Sequence, residues 1–398
     1  MARPRKAKIR ERELAGFKYF KLLGPVLERL HDTACARDKA GNRKLHFDQY
    51  TALMLLYFFN PSVTSLRGMQ QASELGKVQR KLGCPRASLG SLSEAARVFD
   101  ADLLAGVAGE LIEQLPNVVD DEALDAVRGL ITLVDGTVLS ALPKLVQAMW
   151  SESKGKHGIK LHTHFELLKG VPVRMDLTDG DGNERAVLQE HLQPDRVYVL
   201  DRGYAKFQLF ADVLRVRSSF VCRVRDNCVY EVVQERATSP EAKVGEVRRD
   251  LIVRFTGEQA VNAGMDRPLR LVEVVCEPRR KVPKNGRGGP DQGEMILIAT
   301  DICDLDAALI ALLYKHRWAI ETFFRFFKHI LGCRNLLSYC QNGIEIQTYT
   351  AIIACLLIAL WTGRKPTKRT YEMICFYFTG LATEDELLAH IEKLQPQS

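Results

Sequence analysis

An α/β protein with a mainly β insertion, flanked by helical N- and C-terminal regions, is the fold class that the sequence predicts. Three observations carry this expectation. Residues 1 to 128 place apolar side chains at spacings of three and four, the period of amphipathic helices. Short β-branched runs follow, GLITLVDGT at 129–137 and RVYVLDRGY at 196–204, each reaching an aspartate. From about 215 to 300 strand-like runs crowd together, and helical spacing then returns to the end of the chain.

Composition bounds what such a chain does. Its 398 residues leave room for two or three domains and a substantial core. Apolar content of 46% and charged content of 26% are those of a globular protein. Fifty-six Lys and Arg against 49 Asp and Glu give a net charge of +7 and a pI near 8.8. That excess gathers in ARPRKAKIRER at the N-terminus, EPRRKVPKNGRGG at 277–289 and GRKPTKR at 363–369. One such run is ordinarily a solvated tail or loop; three in one chain point to phosphate contact. The ten cysteines show no C-x2-C pair, which sets aside a zinc ribbon and a dithiol redox centre. With no apolar stretch in the basic N-terminus to act as a signal peptide, they are expected as reduced thiols in a cytoplasm. The longest apolar run, Ala351 to Trp361, is short of the roughly 20 residues a bilayer span needs, so no membrane partner is expected. No phosphate-binding loop appears, and no nucleotide cofactor is expected.

In chain order, HFDQYTALMLLYFF, SLRGMQQASELGKVQRKLG and SLSEAARVFDADLLAGVAGELIEQL read as helices punctuated by Pro61, Gly83 and Pro85. GLITLVDGT is a short buried strand. GIKLHTHFELL alternates as a half-buried strand, and VPVRMDLT is its hairpin neighbour. ERAVLQEHL is helical, RVYVLDRGY a second buried strand, and AKFQLFADVLRV helical again. SFVCRVRDN, VYEVVQE, LIVRFTG, LRLVEVVCE and MILIATDI, with the basic Gly/Pro loop at 277–293, predict a mainly antiparallel insert. Helices follow, opened by Asp304 to Asp306.

The chemistry-bearing residues lie at strand ends and on one of these helices. In YKHRWAIETFFRFFK (314–328), a helix turning about 100° per residue puts Arg317, Glu321, Arg325 and Lys328 on the same side as Tyr314. Phe323, Phe324, Phe326 and Phe327 fall opposite. Taken alone, this is a surface helix with ion pairs of Arg317 to Glu321 and Glu321 to Arg325. Asp135 and Asp201 each close a buried strand, where one aspartate is usually a cap or turn residue. Two such aspartates with a later helical glutamate form a narrower pattern. Three carboxylates from a sheet and its covering helix suit two hard, oxygen-seeking cations used in phosphoryl transfer. Close carboxylates repel one another, and bound cations let all three stay ionised near neutral pH.

Asp-Gly-Thr at 135–137, Asp-Arg-Gly-Tyr at 201–204 and Y-x2-R-x3-E-x6-K on Tyr314, Arg317, Glu321 and Lys328 resemble the DDE transposases of bacterial insertion sequences. The resemblance is to the lineage with that signature and a β-rich insert before the glutamate. The gaps fit it: 201 − 135 = 66 residues, then 321 − 201 = 120. The resemblance implies a ribonuclease-H-like core at 129–335, interrupted at about 215–300. A helical N-terminal domain (1–128) would recognise DNA ends, and a helical region (336–398) would complete the chain. It implies Asp135, Asp201 and Glu321 as catalytic ligands of Mg2+ or Mn2+, two ions in all. It also implies Tyr314, Arg317 and Lys328 on the DNA backbone, with Arg325 and Lys160 as further DNA contacts. The reaction implied is hydrolysis at the element's ends followed by strand transfer from the freed 3′-hydroxyl. The partners implied are element-end and target duplexes, met by a homodimer on DNA in the bacterial nucleoid. Two alternatives stand beside it: a related endonuclease without strand transfer, and a silenced or domesticated copy that only binds DNA.

Two further patterns are expected to be inert. DGDGNERAVLQE (179–190) has Asp179, Asp181, Asn183 and Glu190 at calcium-loop positions, but Glu184 replaces the sharp-turn glycine, so a loop entering a helix is expected. His157, His162 and His164 have no fourth ligand at zinc spacing and are expected to face solvent or DNA.

Overall fold

The computed structural model describes residues 27–31, 44–119, 121–139, 159–179, 182–239, 246–275, 295–330, 336–338 and 340–393. Five helices come first: α1 (Phe47–Phe59), α2 (Leu66–Ser73), α3 (Gly76–Leu82), α4 (Leu89–Val98) and α5 (Ala101–Gln114). Side-chain oxygens of Ser65, Ser88 and Asp100 cap α2, α4 and α5, satisfying amides that a helix start leaves unpaired. α1 is buried almost all round, which explains its lack of a polar face.

Strand β1 (Leu130–Leu139) pairs antiparallel with β2 (Ile159–Glu166), and β2 with β3 (Val171–Asp179). Helix α6 (Glu184–Glu190) leads to β4 (Arg196–Leu200), parallel to β1; α7 (Phe207–Arg215) leads to β5 (Ser219–Val224), parallel to β4. The order β3-β2-β1-β4-β5, antiparallel then parallel, is the ribonuclease-H-like core.

β6 (Tyr230–Arg236), β7 (Val247–Phe255), helix α8 (Glu258–Asn262), β8 (Pro268–Val275) and β9 (Met295–Thr300) follow. They do not stand apart from the core. β9 pairs antiparallel with β5, and the sheet runs on through β8 and β7 to β6, nine strands in all. Then come α9 (Ala307–His316), α10 (Trp318–Ile330), α11 (Gln341–Thr362), α12 (Lys368–Thr379) and α13 (Glu384–Glu392).

Strand alternation divides the core in two. Ile131, Leu133, Val197, Val199, Val221 and Ile298 pack with α1, α4, α5 and α9–α12 on one face. Val134, Tyr198, Leu200, Phe220, Cys222 and Ala299 pack with Leu188 of α6, Leu209, Phe210 and Val213 of α7, and Ala260 of α8 on the other. The result is a sheet between two helical layers.

Helix α11 extends the apolar run of 351–361 to 22 residues, long and apolar enough to cross a membrane. Yet 83% of its most apolar window is buried inside the protein, as in a core helix. A further difference concerns 314–328, which is not one uniform helix. Arg317 interrupts it, and the bonds there run from Arg317 N to Tyr314 O and from Ile320 N to Arg317 O. These three-residue steps tighten the turn where the side chain of Arg317 is drawn into an ion-pair bridge.

Candidate active site

Alternation along β1 decides where Asp135 points. Ile131 and Leu133 face the α9–α10 layer, so Asp135 does too, in the middle of β1 and one residue beyond its parallel pairing with β4. Its Oδ1 accepts the Gly136 amide at 2.8 Å. Its carboxyl is raised to about 7: burial pushes it up most, Arg317 and that amide pull it down, and Asp201 and Glu184 push it up. Asp201 follows β4, and its Oδ1 accepts the Gly203 amide at 2.7 Å, capping the 3-10 turn Arg202–Tyr204. A Cβ on Gly203 would lie 2.9 Å from that oxygen, so glycine is what lets the carboxylate fold back.

Glu321 lies in the first turn of α10, where a carboxylate also suits the helix dipole. The Arg317 guanidinium joins it to the sheet: Nη2 is 2.9 Å from Glu321 and Nη1 is 3.7 Å from Asp135. Arg317 is 11% exposed, sits against the rings of Tyr314 and Trp318, and its Nε has no hydrogen-bond partner among the described residues. Burial pushes the Tyr314 phenol up to about 12, so it stays a neutral donor at physiological pH. All four α10 phenylalanines are buried, and Phe165 of β2 meets Phe323 with ring centroids 5.4 Å apart. They clamp the helix on the sheet and so fix Glu321.

The other expected DNA contacts differ in setting. Lys328 is half-buried and forms no ion pair among the described residues. Arg325 is exposed and donates to Thr322 rather than to Glu321. Lys160, on β2, is 2.8 Å from Glu184 and donates to the Gly182 carbonyl at 3.2 Å. The calcium-loop segment is a loop entering a helix: Asn183 caps α6 and Glu184 begins it, with Asp181 outside the described residues. The histidine expectation needs correcting. His162 and His164 are 2% and 4% exposed, and His162 Nε2 is 2.7 Å from Thr178 Oγ1. Burial pushes His164 down to about 4, so it is neutral. Both lie on the α6 side, under that layer rather than in solvent. His157 lies outside the described residues.

Two participants escaped the sequence reading. Glu184 drew notice only as a misfit in a calcium loop. Tyr204 is 1% exposed, its hydroxyl has no partner among the described residues, and burial holds it protonated, with the charges of Glu184, Asp135 and Asp201 acting in the same direction. An orphaned buried hydroxyl beside carboxylates, and a buried aspartate only partly offset by Arg317, mark a place short of positive charge. All-oxygen donors of this kind fit a hard divalent cation. Among the described residues, no three acidic, histidine or cysteine side chains come together as a ready-made metal site, and Glu321 pairs with Arg317.

A family model described as Transposase DDE domain matches residues 128–357. The chain is 27% identical to the putative transposase y4zB of Sinorhizobium fredii over 298 residues, 73% of each chain. It is 22% identical to the probable transposase for insertion sequence element IS5377 of Geobacillus stearothermophilus over 330 residues, 82% of this chain and 80% of that one. A cryo-EM structure of a piggyBac transposase synaptic complex with hairpin DNA aligns over 97% of this chain and 85% of its own, at 13% identity and a TM-score of 0.44.

Proposed function

The chain belongs to the DDE transposase family of insertion sequences, and on that premise we propose that Asp135, Asp201 and Glu321 are its catalytic carboxylates. Divalent-metal dependence and action on DNA go with the family. The finer reading is that these three residues hold two Mg2+ ions and that the duplex ends are cut and joined here. The observation that carries it is Arg317, whose one guanidinium spans Asp135 on the sheet and Glu321 on α10.

When bound, the metal ions would lower the pKa of the attacking water or 3′-hydroxyl and stabilise the leaving oxygen. The protein's own groups do the rest. β1 and β4 present the two aspartates side by side just past their parallel pairing, where β4 ends and β1 runs on. The phenylalanine clamp holds α10 so that Glu321 stays opposite them. Arg317 offsets two carboxylates that would otherwise repel each other, and its planar fork suits a phosphate once DNA brings one. Tyr314 supplies a neutral donor, while Lys328, Arg325 and Lys160 supply point charges for the backbone. The helices of 1–128 and the basic tail from Arg3 to Arg12, which lies outside the described residues, would read the element's ends. A homodimer on DNA in the nucleoid would hold two ends together.

The test is nicking of a supercoiled plasmid carrying the element's ends. Asp135→Ala, Asp201→Ala and Glu321→Ala should each abolish Mg2+-dependent nicking, with circular dichroism unchanged, and EDTA should silence the wild type. Full nicking by Glu321→Ala overturns the assignment.

A further inference from the structure

We propose that Glu184 is a positioning residue for DNA contact, holding the Lys160 ammonium at the outer end of β1 so that it meets a backbone phosphate. The proposal rests on the reading above that Lys160 touches DNA.

The register places this pair. Lys160 lies opposite Val138, three residues beyond Asp135 and so about 10 Å further along β1. Lys160, Gly136 and Val138 share the sheet face covered by α6, whereas Asp135 points to the α9–α10 face. Arg317 and Lys328 thus serve one side of the strand end and Lys160 the other.

Two features fix Glu184. Its carboxylate lies against Gly136, where a Cβ would come within 2.6 Å of Oε1, 3.0 Å of Cδ and 3.2 Å of Cγ. Only glycine leaves that seat open. The same Oε1 accepts Lys160 at 2.8 Å, in a pair whose side chains are 27% and 17% exposed. An ammonium has three donors. Glu184 takes one and the Gly182 carbonyl a second, which leaves the third without an acceptor among the described residues. Ordering a lysine beforehand removes part of the entropy cost of immobilising it on a ligand.

Electrostatics supports the assignment. A carboxylate near Asp135, where phosphates are to approach, opposes DNA binding by its charge alone. Its presence is accounted for if it acts through the lysine it holds.

The experiment measures binding of the full-length protein to a fluorescein-labelled random-sequence duplex by anisotropy, in EDTA, across a salt series. Wild type, Lys160→Ala, Glu184→Gln, the double variant and Gly136→Ala are compared, with thermal melts confirming folding. Lys160→Ala should weaken binding and reduce the salt slope by about 0.9. Glu184→Gln should weaken binding at least about twofold in wild type and have no effect in the Lys160→Ala background. Gly136→Ala keeps both charges but unseats Glu184, and should act in the same direction. Tighter binding by Glu184→Gln, as loss of a merely repelling charge would give, overturns the proposal. So does an equal loss in the Lys160→Ala background. An unchanged affinity and slope for Lys160→Ala would instead remove Lys160 from the DNA surface, and the proposal with it.

Discussion

Arg317 and Lys328 belong to one signature, yet they stand in different surroundings. Arg317 is inside, tied to Asp135 and Glu321; Lys328 is half-buried without an ion pair among the described residues. Removing Arg317 strands two carboxylates, so Arg317→Ala should cost about 1–3 kcal/mol of stability, seen as a lower Tm. Lys328→Ala should stay within about 0.5 kcal/mol of wild type and lower the salt slope of DNA binding by about 0.9. Melts and salt titrations of the two variants check this; a wild-type slope for Lys328→Ala would count against a phosphate contact. At this scale the sequence showed which residues carry charge and which strand ends hold carboxylates. It showed the local pair of Arg317 and Glu321, but not the pairings between distant elements. The link of Glu184 to Gly136 and Lys160 crosses 48 and 24 positions, and no local pattern records it. The burial of His162 and His164 was missed for a related reason: alternation gives the face a side chain takes, not what covers that face.

At the scale of elements, the apolar runs, the strand that ends before Asp201 and the hairpin of β2 and β3 were legible, because each is written in a local period; β1 instead runs past Asp135 to Leu139, paired there with β2. The tightening at Arg317 was not, since it arises where a side chain is drawn across to β1. Nor was the way the insertion joins the core. That join is strengthened by Arg270, 1% exposed, which donates to both oxygens of Asp250 at 2.8 Å and to the carbonyls of Ile302 and Leu305. The pair spans β7 and β8 and ties them to the segment that opens α9, the helix before the one that carries Glu321. Asp250→Ala leaves a buried guanidinium without its carboxylate and should cost about 3–5 kcal/mol, whereas replacing both residues by apolar ones should cost much less. Urea unfolding of the single and double variants distinguishes the two; equal costs would mean the pair is not coupled.

Across the whole molecule, one sheet between two helical layers sets Asp135 and Asp201 on neighbouring interior strands, with Arg317 linking Asp135 to Glu321. β1 and β4 run parallel, so Asp135 and Asp201 emerge at the same end, and the layer on the Asp135 face delivers Glu321. On the proposed reading, phosphoryl transfer takes place where these three acids are brought near one another. The most direct measurement is strand joining: a duplex with a pre-exposed 3′-hydroxyl element end, incubated with supercoiled plasmid in Mg2+. Joining breaks a target phosphodiester bond and forms a new one to that 3′-oxygen, the step that separates a transposase from a nuclease. Wild type should yield joined product, and Asp201→Asn and Glu321→Gln, correctly folded and still bound to DNA, should yield none. Joining by either variant at the wild-type rate would contradict the three-carboxylate site.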